Sequence, residues 1–205
     1  MTVFTATFLP IDIAGQPRQL RLNTRLWFSE PSPNHRDLCL GAVVGLNPGS
    51  AASLSGETSG QCDATMLRIL SSIREAFRQR QRPLPKNAYI QMLNCFYVKE
   101  KSAVLAHSLR SVTDLLTDPA EETVFPFLWF AWGAGVRASD ASRFLTRQEA
   151  AFWFDAKGFL HSDSPADCRD VRHPLARTKG LTTKRRGNMI ADFLDHLAPA
   201  YWQTL

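Results

Sequence analysis

The sequence feature that most constrains the fold is a near-continuous run of apolar residues at Leu38–Leu46. A strand with so few polar positions is typical of a parallel sheet whose two faces are both covered by helices. Similar runs follow at Ala88–Leu93 and Val124–Trp132, and Cys168–Arg172 is a shorter candidate for a fourth strand. The chain therefore predicts a central, mostly parallel four-stranded sheet.

Segments with helical periodicity separate these runs. Together with the strands they predict an α/β fold, a three-layer αβα sandwich with helices on both faces of the sheet. Asp63 is a suitable N-cap for the first helix. The helices are expected at Ala64–Arg80, Ser102–Leu116, Ala138–Ala150 and Lys184–Leu197.

The N-terminal segment has a different pattern. Apolar and polar residues alternate on either side of a turn at Ala14–Pro17, which predicts a β-hairpin in residues 1–29 that leads into the sheet. At 205 residues the chain suits one well-cored domain covering residues 1–205.

Composition narrows the class of protein. A net charge of +5 favours a polyanionic partner. No window approaches the roughly 18 apolar residues that a membrane span needs, and the N-terminus lacks a signal-peptide pattern, so we expect a cytoplasmic protein that does not contact membrane. The four cysteines are too widely spaced for a zinc or iron–sulfur site, which predicts free thiols and no metal.

Two regions are dense in cations. The segment Arg68–Arg82 is typical of a helix face in water. Helical pattern does not explain the second region, Arg169–Arg186.

Ligands of open parallel sheets bind beyond the carboxyl ends of the strands, so the residues there are candidates for chemistry. The first strand ends in G-L-N-P-G-S, Gly45–Ser50. Pro48 fixes the backbone and the glycines allow a ligand to approach closely, which would hold the Asn47 amide where it can orient a water molecule. An ordinary turn has the same pattern, and the lysine of a phosphate-binding loop is absent.

The next two strands end differently. The second ends in Q-M-L-N-C, where the Asn94 amide offers one acceptor and two donors, a match for the edge of a pyrimidine base, or a tie for the neighbouring loop. The third ends in W-G-A-G, and close packing of helix on sheet is a sufficient reason for Gly133 and Gly135.

The fourth segment ends in R-H-P-L-A-R-T-K-G-L, a histidine preset by a proline and followed by an apolar residue. Leu175 among phosphate-binding cations is the combination that opens a base stack. The neighbouring cations are Arg177, Lys179, Lys184, Arg185 and Arg186.

These four strand ends, in this order, resemble the uracil-DNA glycosylase superfamily, over about Leu38 to Arg186. G-L-N-P-G is similar to G-I-N-P-G of the mismatch-specific uracil and thymine glycosylases, and Q-M-L-N to the strand L-L-L-N. L-W-F-A-W-G-A-G-V-R-A resembles L-L-W-G-x-x-A, and R-H-P-L-A-R resembles H-P-S-P-L-S. An uncharacterised bacterial family with L-N-P-S, N-L-F, W-G and R-H-P-L motifs is also similar.

The resemblance implies a monofunctional DNA glycosylase, which flips a nucleotide out of DNA and hydrolyses its N-glycosidic bond as a monomer without metal or cofactor. His173 would donate a hydrogen bond to the departing base, and Asn47 would hold the attacking water.

The resemblance also assigns binding roles. Leu46, Gly49 and Asn94 would surround the base, and Phe96 would stack on it. Leu175 would fill the vacated gap, with Leu181 as the alternative. The remaining predicted DNA contacts are Ser50, Arg177, Lys179, Lys184 and Arg185.

One departure from the family concerns the substrate. Uracil-specific relatives have D-P-Y where this chain has Asn47-Pro48-Gly49, and that tyrosine excludes groups at C5 of the pyrimidine. Gly49 and the small residues after it predict tolerance of C5-modified pyrimidines, including the modified cytosines of bacteriophages, with a role in antiviral defence.

Two other functions fit the sequence. A nucleic-acid-binding module without catalysis would use the same cations. A serine esterase would use Asp170 and His173 as the D-x-x-H end of a triad, with Ser50 or Ser53 as the nucleophile, although the sequence has no G-D-S.

Overall fold

The apolar runs of the sequence form the centre of one mixed β-sheet. The computed structural model describes residues 3–48, 59–99, 117–133, 135–176, 178, 180–197 and 201. Within these ranges it is an α/β protein with eight strands and three α-helices. The strands are β1 (Val3–Ile13), β2 (Gln16–Trp27), β3 (Leu38–Gly45), β4 (Ser59–Gln61), β5 (Ala88–Asn94), β6 (Leu128–Phe130), β7 (Ala151–Phe154) and β8 (Leu160–His161).

The order across the sheet is β4-β1-β2-β5-β3-β6-β7-β8. Strands β5, β3, β6 and β7 are parallel neighbours, whereas β2 pairs with β5, and β7 with β8, in antiparallel register. The parallel strands therefore all end at the same edge of the sheet.

The N-terminal hairpin forms at the predicted turn, but it is not a separate lead-in. Strand β2 pairs directly with β5, with Thr24 opposite Met92 and Trp27 opposite Tyr89. The hairpin thus covers the backbone hydrogen-bonding groups on the free side of β5. With β4 and β8 at the two edges, it extends the four-stranded sheet that we expected into an eight-stranded one.

The prediction of a strand at Cys168–Arg172 is wrong. Residues Cys168–Asp170 form a 3₁₀ turn, in which the Asp167 carboxylate accepts a hydrogen bond from the backbone of Arg169. The place beside β6 is taken by β7, an aromatic segment that follows the second helix.

The three described helices begin close to the predicted positions. Asp63 caps α1 (Ala64–Gln79) by accepting a hydrogen bond from the Met66 amide at 2.9 Å. Helix α2 (Ala138–Leu145) is shorter than predicted because the chain turns at Thr146 towards β7. The third helix is α3 (Thr183–Leu197), and the predicted helix Ser102–Leu116 lies outside the described residues.

Apolar side chains cover both faces of the sheet. On one face, α1 and α3 pack on Leu40, Ile90 and Trp129 in the larger of the two main buried clusters. On the other face, α2 packs with Val44 and Phe130 in a second cluster. The burial of alternate residues of the central strands on opposite faces explains why these segments are apolar at nearly every position.

Helices α1 and α3 pack closely because α3 has a glycine at their contact. A Cβ atom added at Gly187 would lie 2.6 Å from Cβ of Glu75 on α1. At the helix ends, Arg80 donates hydrogen bonds to Asp192 and Asp195 at 2.6 and 2.7 Å. None of the helices in the described ranges is both long and apolar enough to cross a membrane.

We expect Gly187→Ala to lower the free energy of unfolding by about 1–3 kcal/mol, because the new methyl group would push α3 away from α1. Intrinsic helix propensity alone predicts the opposite sign, since alanine is favoured over glycine by about 1 kcal/mol. Urea unfolding measures the difference. The control is His196→Ala at an exposed site of α3, expected to change stability by less than about 0.5 kcal/mol. A Gly187→Ala protein as stable as the parent would contradict this packing.

Candidate functional site

A cavity of about 220 Å³ lies where the carboxyl ends of β3, β5 and β6 meet. Four of the residues predicted from separate strand ends line it: Leu46, Asn47, Asn94 and His173. The sheet edge therefore brings together side chains that are up to 127 positions apart in the sequence.

Backbone pairing beyond the ends of β3 and β5 brings the two asparagines to the same cavity. The Cys95 and Phe96 amides donate to the carbonyls of Gly45 and Leu46 at 3.0 and 2.9 Å. The Asn94 side chain lies close to Gly45. A Cβ atom added at Gly45 would be 3.0 Å from Oδ1 of Asn94. A residue without a side chain is therefore needed at position 45, so that the end of β3 can lie against the Asn94 amide.

Asn94 is 1% exposed, and among the described residues neither its Oδ1 nor its Nδ2 has a hydrogen-bond partner. A buried amide without partners costs roughly 1–3 kcal/mol. A ligand in the cavity with one donor and one acceptor would recover this cost.

His173 reaches the cavity through contacts that the sequence did not show. Its neighbour Arg172 donates its backbone N–H to the Phe154 carbonyl at 2.9 Å. The Trp132 indole holds the preceding 3₁₀ turn by donating to the Cys168 carbonyl at 2.9 Å. Gly133 has φ of +84°, and an added Cβ atom would lie 3.2 Å from Cβ of His173. Gly133 therefore makes room for the backbone and Cβ of His173, in addition to the packing role expected from the sequence.

The protonation of His173 follows from its environment. Burial lowers the pKa of the imidazole, and the nearby Asp63 carboxylate opposes that shift. Its Nδ1 accepts a hydrogen bond from the Leu175 amide at 3.2 Å, so the proton of the neutral ring is on Nε2. The ring can thus donate one hydrogen bond from Nε2 without carrying charge.

Two charged residues of the cavity were missed at the sequence level. Arg21 comes from β2 of the hairpin and Asp63 from the N-cap of α1. Arg21 is 2% exposed, an unusual position for an arginine. The apolar alternation of β2 offered a signal, since Arg21 stands between two leucines of the buried strand.

Phe96 does not fit its predicted role. It is 4% exposed, belongs to the second buried cluster and is not among the cavity-lining residues of the described ranges. The aromatic side chain that does line the cavity is Trp132.

The two candidate wedges differ in exposure. Leu175 is 40% exposed, whereas Leu181 packs against the larger cluster and lies beside Gly158. Both leucines line an open depression next to the cavity, together with Arg68 and Arg186, so exposure is what distinguishes Leu175.

Arg186 has both a structural role and a place in this depression. It is 3% exposed, and its Nη2 donates to the Pro174 carbonyl at 3.3 Å, which ties α3 to the histidine loop. Burial and the nearby Arg68 lower its pKa to about 10, so it is a cation at neutral pH. Two neighbouring cations suit a phosphate group.

The remaining predicted DNA contacts divide into two sets. Lys184 and Arg185 are exposed in the first turn of α3, and the Arg185 guanidinium lies 5.7 Å from the ring centroid of Phe159. Ser50, Arg177 and Lys179 lie outside the described residues, as does Gly49, which was predicted to surround the base.

The geometry of His173 does not suit an esterase triad. A triad needs Nδ1–H to donate to the acid, but here Nδ1 accepts from the Leu175 amide. Asp170 is exposed, and the carboxylate that influences the His173 pKa is that of Asp63.

The four cysteines are free, with Cys95 and Cys168 buried. Within the described ranges, no group of three or more His, Cys, Asp or Glu side chains is arranged to hold a metal ion. Comparison with known protein families, curated proteins and solved structures gives no match for this chain.

We expect His173 to titrate below the ordinary histidine pKa of 6.5, because burial penalises the imidazolium. The unfolded chain then takes up the proton first, so protonation of this group lowers stability as the pH falls below about 6.5. The measurement is an NMR titration of the ring, whose nitrogen shifts also report the tautomer.

The control variant is Asp63→Asn, which keeps a good N-cap but removes the carboxylate. It should move the His173 pKa further down, since Asp63 raises it. A midpoint at or above 6.5 in the parent protein would contradict the description of this site.

Proposed function

We propose that the chain is a monofunctional DNA glycosylase, which binds a flipped pyrimidine in the cavity and hydrolyses its N-glycosidic bond. The observation that carries the proposal is the convergence of Asn47, Asn94 and His173 on one cavity beside the exposed Leu175. The three polar groups match the needs of the reaction, and the leucine is in reach of the duplex from which a base would be taken.

The proposed step is a hydrolysis. A water molecule held by Asn47 adds its oxygen to the anomeric carbon, and the bond from that carbon to the base nitrogen breaks with its electron pair going to the base. One proton of the attacking water passes to solvent, and the departed base anion takes up a proton from solvent. An amide is a poor general base, so most of the rate enhancement must come from stabilising the departing base.

His173 and Asn94 support this step. Neutral His173 can donate from Nε2 to an oxygen of the base, where negative charge accumulates as the bond breaks. The unpaired amide of Asn94 can bind the base edge through one donor and one acceptor.

The size of the cavity bears on the substrate. A volume of about 220 Å³ is below the roughly 300–1,000 Å³ of drug-sized sites, which favours a single pyrimidine ring with at most a small substituent. Tolerance of larger C5 groups would depend on Gly49 and the residues after it.

The surface next to the cavity suits DNA. Leu175, Arg68 and Arg186 line one depression, so an apolar wedge is flanked by two groups that can bind phosphates. The proposal also includes the three-layer αβα arrangement of such glycosylases, a cytoplasmic location and a monomer. The packing of helices on both faces of the sheet supports the three-layer arrangement.

The test is a base-release assay on duplexes that contain uracil, mismatched thymine, 5-hydroxymethylcytosine or glucosylated 5-hydroxymethylcytosine, with alkali to cleave abasic sites. We expect alkali-labile cleavage of at least one substrate. Asn47→Ala and His173→Ala should each slow it by about 100-fold or more, the usual loss for a group that acts in the transition state.

The matched control is His196→Ala, which removes an exposed imidazole of α3 outside the cavity and should leave the rate unchanged. DNA that stays intact across the panel, while binding survives in both cavity variants, would indicate a nucleic-acid-binding module instead.

We expect Leu175→Ala to slow base release from duplex DNA at least about tenfold more than from single-stranded DNA, because only the duplex leaves a gap to fill. Single-turnover rates on the two substrates give the ratio. Val124→Ala removes another exposed apolar side chain, 82% exposed, and serves as the control. Equal slowing on both substrates would contradict a wedge at Leu175.

A further inference from the structure

Arg21 is the cation among the two charged cavity residues, Arg21 and Asp63, that the proposed reaction does not use. It is 2% exposed, and its buried Nε and Nη1 atoms have no hydrogen-bond partner in the part of the chain that the structure describes. A buried cation with unsatisfied donors is costly, so its presence in a cavity wall calls for a group that binds it.

The hairpin holds Arg21 firmly at this edge of the sheet. Its backbone N–H donates to the Tyr97 carbonyl at 3.0 Å, and its guanidinium lies 5.3 Å from the ring centroid of Phe4. Because β2 runs antiparallel to β5 with Thr24 opposite Met92, residues before Thr24 lie towards the carboxyl end of β5, where Asn94 is.

Arg21 retains its charge in this environment. Burial lowers its pKa to about 10, with Asp63 and Cys62 opposing the shift, so the side chain is protonated at neutral pH. His173 is neutral at that pH, since burial lowers its pKa. Among the described residues that line the cavity, Arg21 therefore supplies the positive charge and Asp63 the negative charge.

We propose that Arg21 is the anion-binding residue of the cavity and that its ligand is a pyrimidine that carries or develops negative charge on its ring oxygens. A guanidinium offers several N–H donors in one plane, which suits the oxygens of a planar ring anion. Hydrogen bonds from a cation to an anion are also stronger than those between neutral groups.

The catalytic part of this inference rests on the proposed function. When the glycosidic bond breaks, its electron pair goes to the base, and the anion that leaves must be stabilised in a site poor in water. The neutral imidazole of His173 contributes a hydrogen bond, and Arg21 contributes the charge.

Asp63 sets the strength of this interaction. Its carboxylate raises the pKa of both Arg21 and His173, and it repels an anion in the cavity. Asp63→Asn removes the charge while an asparagine can still cap α1. The pair Arg21→Gln and Asp63→Asn therefore changes the charge of the cavity in opposite directions.

The first experiment measures binding and needs no catalysis. The probes are barbiturate, a uracil-sized ring that is ionised at neutral pH, and uracil, which is neutral. Calorimetric titration of the full chain should show barbiturate binding about tenfold or more tighter than uracil, the advantage of a charge-assisted pair.

The variants identify the residue responsible. Arg21→Gln should abolish the preference for barbiturate, Arg21→Lys should retain part of it, and Asp63→Asn should increase it. Equal affinity for the two probes, no binding of barbiturate, or an unchanged preference in either Arg21→Gln or Asp63→Asn would overturn the proposal. If Arg21→Gln fails to fold, Arg21→Lys and Asp63→Asn still test it.

The second experiment separates this inference from the proposed function. In single-turnover base release, Arg21→Gln should slow uracil more than 5-fluorouracil, whose anion is a better leaving group and needs less stabilisation. A purely structural effect would slow both equally and would overturn the catalytic role. A preference for barbiturate without any base release would support the anion-binding role of Arg21 and contradict the proposed glycosylase activity.

Discussion

The parallel pairing of β3 with β5 and β6 is the interaction on which the rest of the structure depends. It aligns the carboxyl ends of three strands, so Asn47, Asn94 and the segment beside Ala131 end at one edge. Two further backbone bonds, to the carbonyls of Gly45 and Leu46, extend this alignment past the strand ends. The cavity lies directly beyond the carboxyl ends of β3, β5 and β6.

The cavity combines polar groups with little access to water. The Asn94 amide has no hydrogen-bond partner among the described residues, and burial makes that costly. Burial also keeps His173 neutral, whereas Arg21 stays charged although burial lowers its pKa to about 10. Electrostatic interactions are stronger where water is excluded, so each group would interact more strongly with a ligand than it would on the surface. Beside the cavity, the exposed Leu175 and the partly exposed Arg68 form the more solvated part of the site, while Arg186 is buried.

Short motifs in the sequence identified three polar side chains of the cavity but not the charged residues beside them. Asn47, Asn94 and His173 each followed an apolar segment, and the rule that ligands bind at strand ends was enough to select them. The same rule placed His173 after a strand that does not exist, because Cys168–Asp170 turns in a 3₁₀ conformation. The histidine nevertheless arrives at the cavity, held through the Trp132 indole and the Phe154 carbonyl.

The sequence by itself determined the α/β class, the buried central strands, the hairpin turn and the capped start of α1, since these follow from local periodicity and from residues adjacent in the chain. Only the tertiary structure decided that the hairpin joins the sheet, that Phe96 is buried in the second cluster and that Arg21 and Asp63 line the cavity. Those outcomes depend on which strands pair and on which face each side chain is buried, and such long-range contacts leave no periodic pattern in the sequence.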